Sequence, residues 1–193
     1  MLNKKKIEKY VKKLLEEFDP NPDRPGLKET PKRVAKYWCE LLEGVQYTNQ
    51  QIADMFNKCF EDAPTGNLVI EKDIPIFSHC EHHLALMYDC NVTIAYIPKD
   101  KVIGLSKMAR VAEMVGKRLQ LQERIVSDIY DVMKRILDTE DIAVIITGKH
   151  GCMTARGIKS RESKTEAACL GGLFRTNSSL RAELYTRIAK EGE

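Results

Sequence analysis

The sequence predicts an α+β fold: an N-terminal helical arm, then a mostly antiparallel β-sheet with helices packed on one face. Three observations carry this reading. Apolar residues recur at helical spacing through the first third of the chain, β-branched and aromatic runs begin after Pro64-Thr65-Gly66, and helical periods then mix with short apolar strands. Residues 1–63 read as a helical region and 64–193 as an α+β domain, the two forming one structural unit.

In order along the chain, Ile7, Val11, Leu14, Leu15 and Phe18 mark the apolar stripe of a first helix over Lys4 to Phe18, and the Pro- and Asp-rich run Asp19 to Gly26 breaks it. Thr30 is expected as the N-cap of a second helix, with Pro31 at its first position and Gly44 as its stop. Thr48 and Gln51 form a capping box for a third helix bearing Ile52, Met55 and Phe56. Leu68 to Phe77 and Asn91 to Pro98 read as strands. Ser106 is expected to cap a helix with Met108, Val111, Ala112 and Val115 on its buried face, and Leu121, Ile125, Ile129, Val132 and Ile136 mark the next one. Ile142 to Thr147, Thr154 to Ile158 and Glu166 to Phe174 read as strands, and Leu180, Leu184 and Ile188 as a closing helix.

With 193 residues, folding can bury roughly 70% of the surface that the unfolded chain exposes, enough for a sizeable core. A hydrophobic share of 43% argues against a disordered chain, and a net charge of +3, evenly interspersed, argues against a nucleic-acid partner. No membrane-length apolar run and no secretory leader is visible, so the chain is expected in the cytoplasm. There six cysteines are better read as thiols available to a metal or to catalysis than as disulfides.

Cys80-Glu81-His82-His83 sets a thiol and an imidazole three residues apart, close enough to aim at one ion; alone it fits a buried small thiol beside ordinary polar histidines equally well. His150-Gly151-Cys152 is a second such cluster, so three of the four histidines and two of the six cysteines fall in two short loops. Zinc suits mixed thiolate and imidazole donors, and two Cys with one His leave the fourth tetrahedral position to water, which zinc makes available as hydroxide at about neutral pH. Adjacent residues in an irregular loop point apart, so one of His82 and His83 can ligate while the other moves protons. Ser106, Lys107 and Arg110 at a helix start form either a phosphate site or a cap with two solvated charges, and Arg156 adds a further cation. Glu123, beside Gln122, otherwise belongs to a solvated helix face.

The run of motifs resembles the GTP cyclohydrolase I family from about Asp23 to the closing helix. It is carried by Asp23-Arg24-Pro25-Gly26-Leu27 with Thr30 to Val34, by Cys80 to His83, by Ala95 to Pro98 through Gly104-Leu105-Ser106-Lys107, by Gln120 to Arg124, and by His150 to Met153 with Arg156-Gly157. The resemblance implies a zinc enzyme that converts GTP to formate and dihydroneopterin triphosphate, the first step toward tetrahydrofolate and other pterins. It implies Cys80, His83 and Cys152 as zinc ligands, His82 and His150 as the proton-transfer pair, and Ser106 near the ribose or the hydrated carbon. Lys107, Arg110 and Arg156 would then hold the triphosphate, while Glu123 with Gln122 reads guanine. It further implies a tunnelling-type fold whose sheets join between subunits into a barrel, and a homodecamer of two pentamers with sites between subunits.

The chain departs from the family pattern at Leu84 to Asn91, which lacks the usual Pro-Phe and glycine and runs one residue longer, read as a bulge at the start of a strand. Ala167 and Ala168 stand where the family is often Thr-rich, and Cys39, Cys59, Cys90 and Cys169 read as packing residues. Two other readings compete: a structural zinc module with a closed fourth ligand position, and a sister enzyme of pterin or deazapurine chemistry on the same fold.

Overall fold

A computed structural model describes residues 2–61 and 66–189, so the expected boundary at 63/64 lies outside the described residues. Helices α1 (Lys4–Phe18), α2 (Thr30–Leu41) and α3 (Asn49–Phe56) form the arm. Strands β1 (Cys59–Phe60), β2 (Val69–Cys80), β3 (Leu86–Tyr96) and β4 (Val102–Ile103) follow. Then come α4 (Leu105–Gly116), β5 (Leu119–Gln120), α5 (Gln122–Leu137), β6 (Ile142–His150), α6 (Gly151–Thr154), β7 (Thr165–Leu170), α7 (Gly172–Thr176) and α8 (Ser178–Ala189). The main sheet runs β5-β2-β3-β6-β7, antiparallel except that β5 lies parallel to β2, and β1 with β4 makes a separate two-stranded ribbon.

Alternation along the strands divides the apolar residues between two faces. Ile74 and Ile76 of β2, Val92, Ile94 and Tyr96 of β3, and Ile142, Val144 and Ile146 of β6 pack with Met108, Val111 and Val115 of α4, with Ile125, Ile129 and Met133 of α5, and with Ile52 of α3. Each fully buried side chain of that size contributes about 1.5–3 kcal/mol. The opposite face carries Ala95, Ala143 and Ile145 under Phe174 of α7 and Leu184 of α8. The expectation of helices on one face therefore holds for α3, α4 and α5 but not for α7 and α8. The closing segments cover the second face because β3 and β6 are apolar on both sides.

Several local expectations need correction. Thr30 lies inside α2, whose N-cap is Glu29 without a side-chain cap bond, and α2 ends at Leu41 with a 3-10 helix over Glu43–Gln46 beyond it. Ser106 makes no cap bond either; Gly104 occupies that position. Thr154 to Ile158 is not a strand. Thr154 ends α6, and the chain beyond it turns through left-handed positions at Gly157 (φ 58°) and Lys159 (φ 52°) without pairing to the sheet. Strand β7 stops at Leu170 rather than Phe174, where the backbone N–H of Leu173 donates to Asp141 Oδ1 at 2.7 Å and α7 takes over. The Thr48–Gln51 capping box forms as expected.

Candidate active site

The sheet brings the two Cys/His loops to one end. Cys80 is the last residue of β2, and a tight turn closed by Cys80 N–H to the Ala85 carbonyl (2.9 Å) and Leu84 N–H to the Cys80 carbonyl (2.9 Å) leads into β3. His79 then pairs with Leu86 and Met87 with His150, so the end of β6 meets the turn across a single strand. Gly151 permits this approach, because a Cβ there would stand 3.0 Å from the Leu86 carbonyl oxygen. The anticipated extra residue in β3 is absorbed farther along. Asp89 adopts φ 49° and the register slips against both neighbours, between Ile76 and Ser78 of β2 and between Tyr88 and Asn91 of β3. This bulge leaves the metal turn in place.

Donor atoms of Cys80, His83 and Cys152 all lie within 4.8 Å of one another, and no fourth Cys, His, Asp or Glu joins them among the described residues. Tetrahedral zinc with bonds of about 2.0–2.3 Å needs donors roughly 3.5 Å apart, so this group can close on such an ion with small side-chain adjustments. Burial, and then the neighbouring Cys80, pushes the Cys152 thiol above its usual range, so a cation must displace its proton on binding. The His82 and His83 rings stand 6.2 Å apart, edge to face at 79°, with His82 Nδ1 3.8 Å from Cys80 Sγ. Arg156 donates to His83 Nε2 at 3.1 Å.

The first residue of α5, Gln122, is 2% exposed and sits behind the metal loops. Its Nε2 donates to the carbonyls of Ile146 (3.2 Å) and Thr165 (2.8 Å), and its Oε1 lies 2.7 Å from His150 Nε2. Burial lowers the His150 pKa, partly opposed by the Glu123 charge. Glu123 itself is exposed, as a ligand-reading carboxylate must be. Ser106, Lys107 and Arg110 lie in the first two turns of α4, and no hydrogen bond or ion pair joins them to the metal group among the described residues. Two contacts were not anticipated from sequence. Arg124 grips Glu81 through two bonds (2.5 and 3.3 Å), and Tyr88 Oη donates to Thr154 Oγ1 at 3.0 Å. The signal for the first was adjacency alone, Glu81 standing inside Cys80–His83 and Arg124 beside Glu123.

Comparison with known proteins agrees with this geometry. The family model described as GTP cyclohydrolase I matches residues 7–189. A GTP cyclohydrolase 1 of Ruminiclostridium cellulolyticum is 55% identical over 184 residues, covering 93% of this chain and 94% of its own. Its counterpart in Clostridium botulinum is 54% identical over 191 residues (95% and 97%), and that of Clostridium acetobutylicum 52% over 187 (95% and 96%). With a family match across nearly the whole chain and the Cys80, His83 and Cys152 donors converging as that chemistry requires, the chain belongs to the GTP cyclohydrolase I family of hydrolases.

Proposed function

We propose that this chain opens the imidazole ring of GTP, releases C8 as formate and yields 7,8-dihydroneopterin triphosphate, with zinc held by Cys80, His83 and Cys152. The observation that carries the reading is that group of three donors with no fourth among the described residues. Zinc bound there supplies Lewis acidity and a hydroxide nucleophile near neutral pH. His150 delivers a proton to N7 as water adds to C8, and His82, close to Cys80, assists the second hydrolysis that expels formate. Glu123 accepts from N1–H and the 2-amino group of guanine, while Lys107, Arg110 and Arg156 neutralise the triphosphate and Ser106 contacts the ribose or the hydrated carbon. Gln122, expected beside Glu123 at the base, is engaged in three hydrogen bonds.

Because no hydrogen bond or ion pair joins Ser106, Lys107 and Arg110 to the metal group among the described residues, the reading includes sites completed between subunits, in a homodecamer of two pentamers acting in the cytoplasm. No described helix is long and apolar enough to cross a membrane. Metal analysis tests the donor assignment. Purified protein should carry stoichiometric zinc, and Cys80→Ala, His83→Ala and Cys152→Ala should each lose it while keeping the helical circular-dichroism signal. Loss of the fold together with the metal would support a structural zinc module instead.

A further inference from the structure

We infer that Gln122 is a positioning residue that fixes the ring orientation and tautomer of His150, and that it does not read the base. This rests on the proposed role of His150 as the proton-transfer residue. Gln122 is buried at the start of α5, where neither end of its amide is free to choose a partner. The Nε2 hydrogens go to two backbone carbonyls, those of Ile146 in β6 and Thr165 at the start of β7. Carbonyl oxygens only accept, so the amide cannot be flipped without setting oxygen against oxygen twice. Its Oε1 must therefore be the atom facing His150 Nε2, and at 2.7 Å an acceptor requires a hydrogen on that nitrogen.

In consequence the neutral ring is held as the Nε2–H tautomer. The bond persists when the ring is cationic, since Nε2 carries hydrogen in both states. Nδ1 has no hydrogen-bond partner among the described residues, so the contact to Gln122 alone distinguishes the two ring nitrogens. The relay is anchored in backbone at both ends, because Ile146 and Thr165 belong to paired strands β6 and β7. The same three bonds also keep the amide away from any base that Glu123 recognises.

Two readouts test this. In zinc-loaded protein labelled with nitrogen-15 histidine, magic-angle-spinning NMR, assigned with His150→Gln, should show the neutral His150 ring protonated at Nε2 and bare at Nδ1. A bare Nε2 in the parent protein overturns the inference whatever any variant does. In Gln122→Met, which fills the space without an amide, the tautomers should mix and kcat should fall by about 10²-fold. KM for GTP should stay within about threefold and the preference for GTP over ITP, which lacks the 2-amino group, should be retained. An unchanged kcat, or a raised KM with lost discrimination, overturns it in favour of a base-reading glutamine. His150→Ala runs alongside: if that variant keeps full turnover, it is the underlying role of His150 that fails, a result distinguishable from failure of Gln122 alone.

Discussion

At Glu123 the account depends on one carboxylate meeting two parallel donors. Adenine offers no such pair, and a site built to hydrogen-bond those donors rejects an analogue lacking them by roughly 10⁴-fold. Glu123→Ala should abolish most turnover of GTP and erase its advantage over ITP; unchanged kinetics with GTP would remove the residue from the site. Glu71 makes a different prediction. Burial raises its carboxyl pKa above 4.5, and Oε2 is buried without a hydrogen-bond partner. A group whose folded pKa is raised contributes stability below its unfolded value and loses it as pH rises through the folded value. Glu71→Gln should therefore gain in Tm relative to the parent as pH rises from about 4; a difference that does not change with pH would contradict this. Residue types were legible in sequence where chemistry restricts them, as with the Cys and His of the two loops. Glu71 was not, because its burial depends on strand pairing that a linear pattern does not show.

Among the elements, the pair Glu81–Arg124 ties the turn after β2 to the first turn of α5, reinforced by Glu81 N–H to the Gln120 carbonyl at 3.1 Å. The Arg124 hydrogen bond holds the Glu81 carboxyl below its usual range. Outer contacts of this kind typically govern metal affinity by about 10–100-fold, so Arg124→Ala should weaken zinc binding by about 10-fold with the fold intact, measured by competition with a chelator. Equal affinity would make the pair a solvent-screened surface contact with no hold on the metal. Helices with a strong apolar period, such as α5 and α3 with its capping box, were readable from sequence. The segment after Cys152 was misread as a strand because the positive φ at Gly157 and Lys159 leaves little trace in hydrophobic pattern. Strands β1, β4 and β5, two residues each, are too short to show alternation at all.

For the molecule as a whole, the five strands matter because they carry two distant stretches, Cys80–His83 and His150–Cys152, to one end of one sheet. That convergence was anticipated from the ligand chemistry of the two loops rather than from strand periodicity, while the covering of the second sheet face by α7 and α8 was not. If sites are completed between subunits, light scattering should give the mass of ten chains, and a monomer with full activity would contradict that part of the reading. The central claim is that a zinc-loaded site built on Cys80, His83 and Cys152 hydrolyses the imidazole ring of GTP. The most direct test is to incubate the purified protein with GTP, with and without a zinc chelator, following formate and the near-ultraviolet absorbance of the pterin together. The account predicts that both appear and that both vanish on chelation; pterin-like absorbance without formate, or neither signal from folded, zinc-loaded protein, would contradict it.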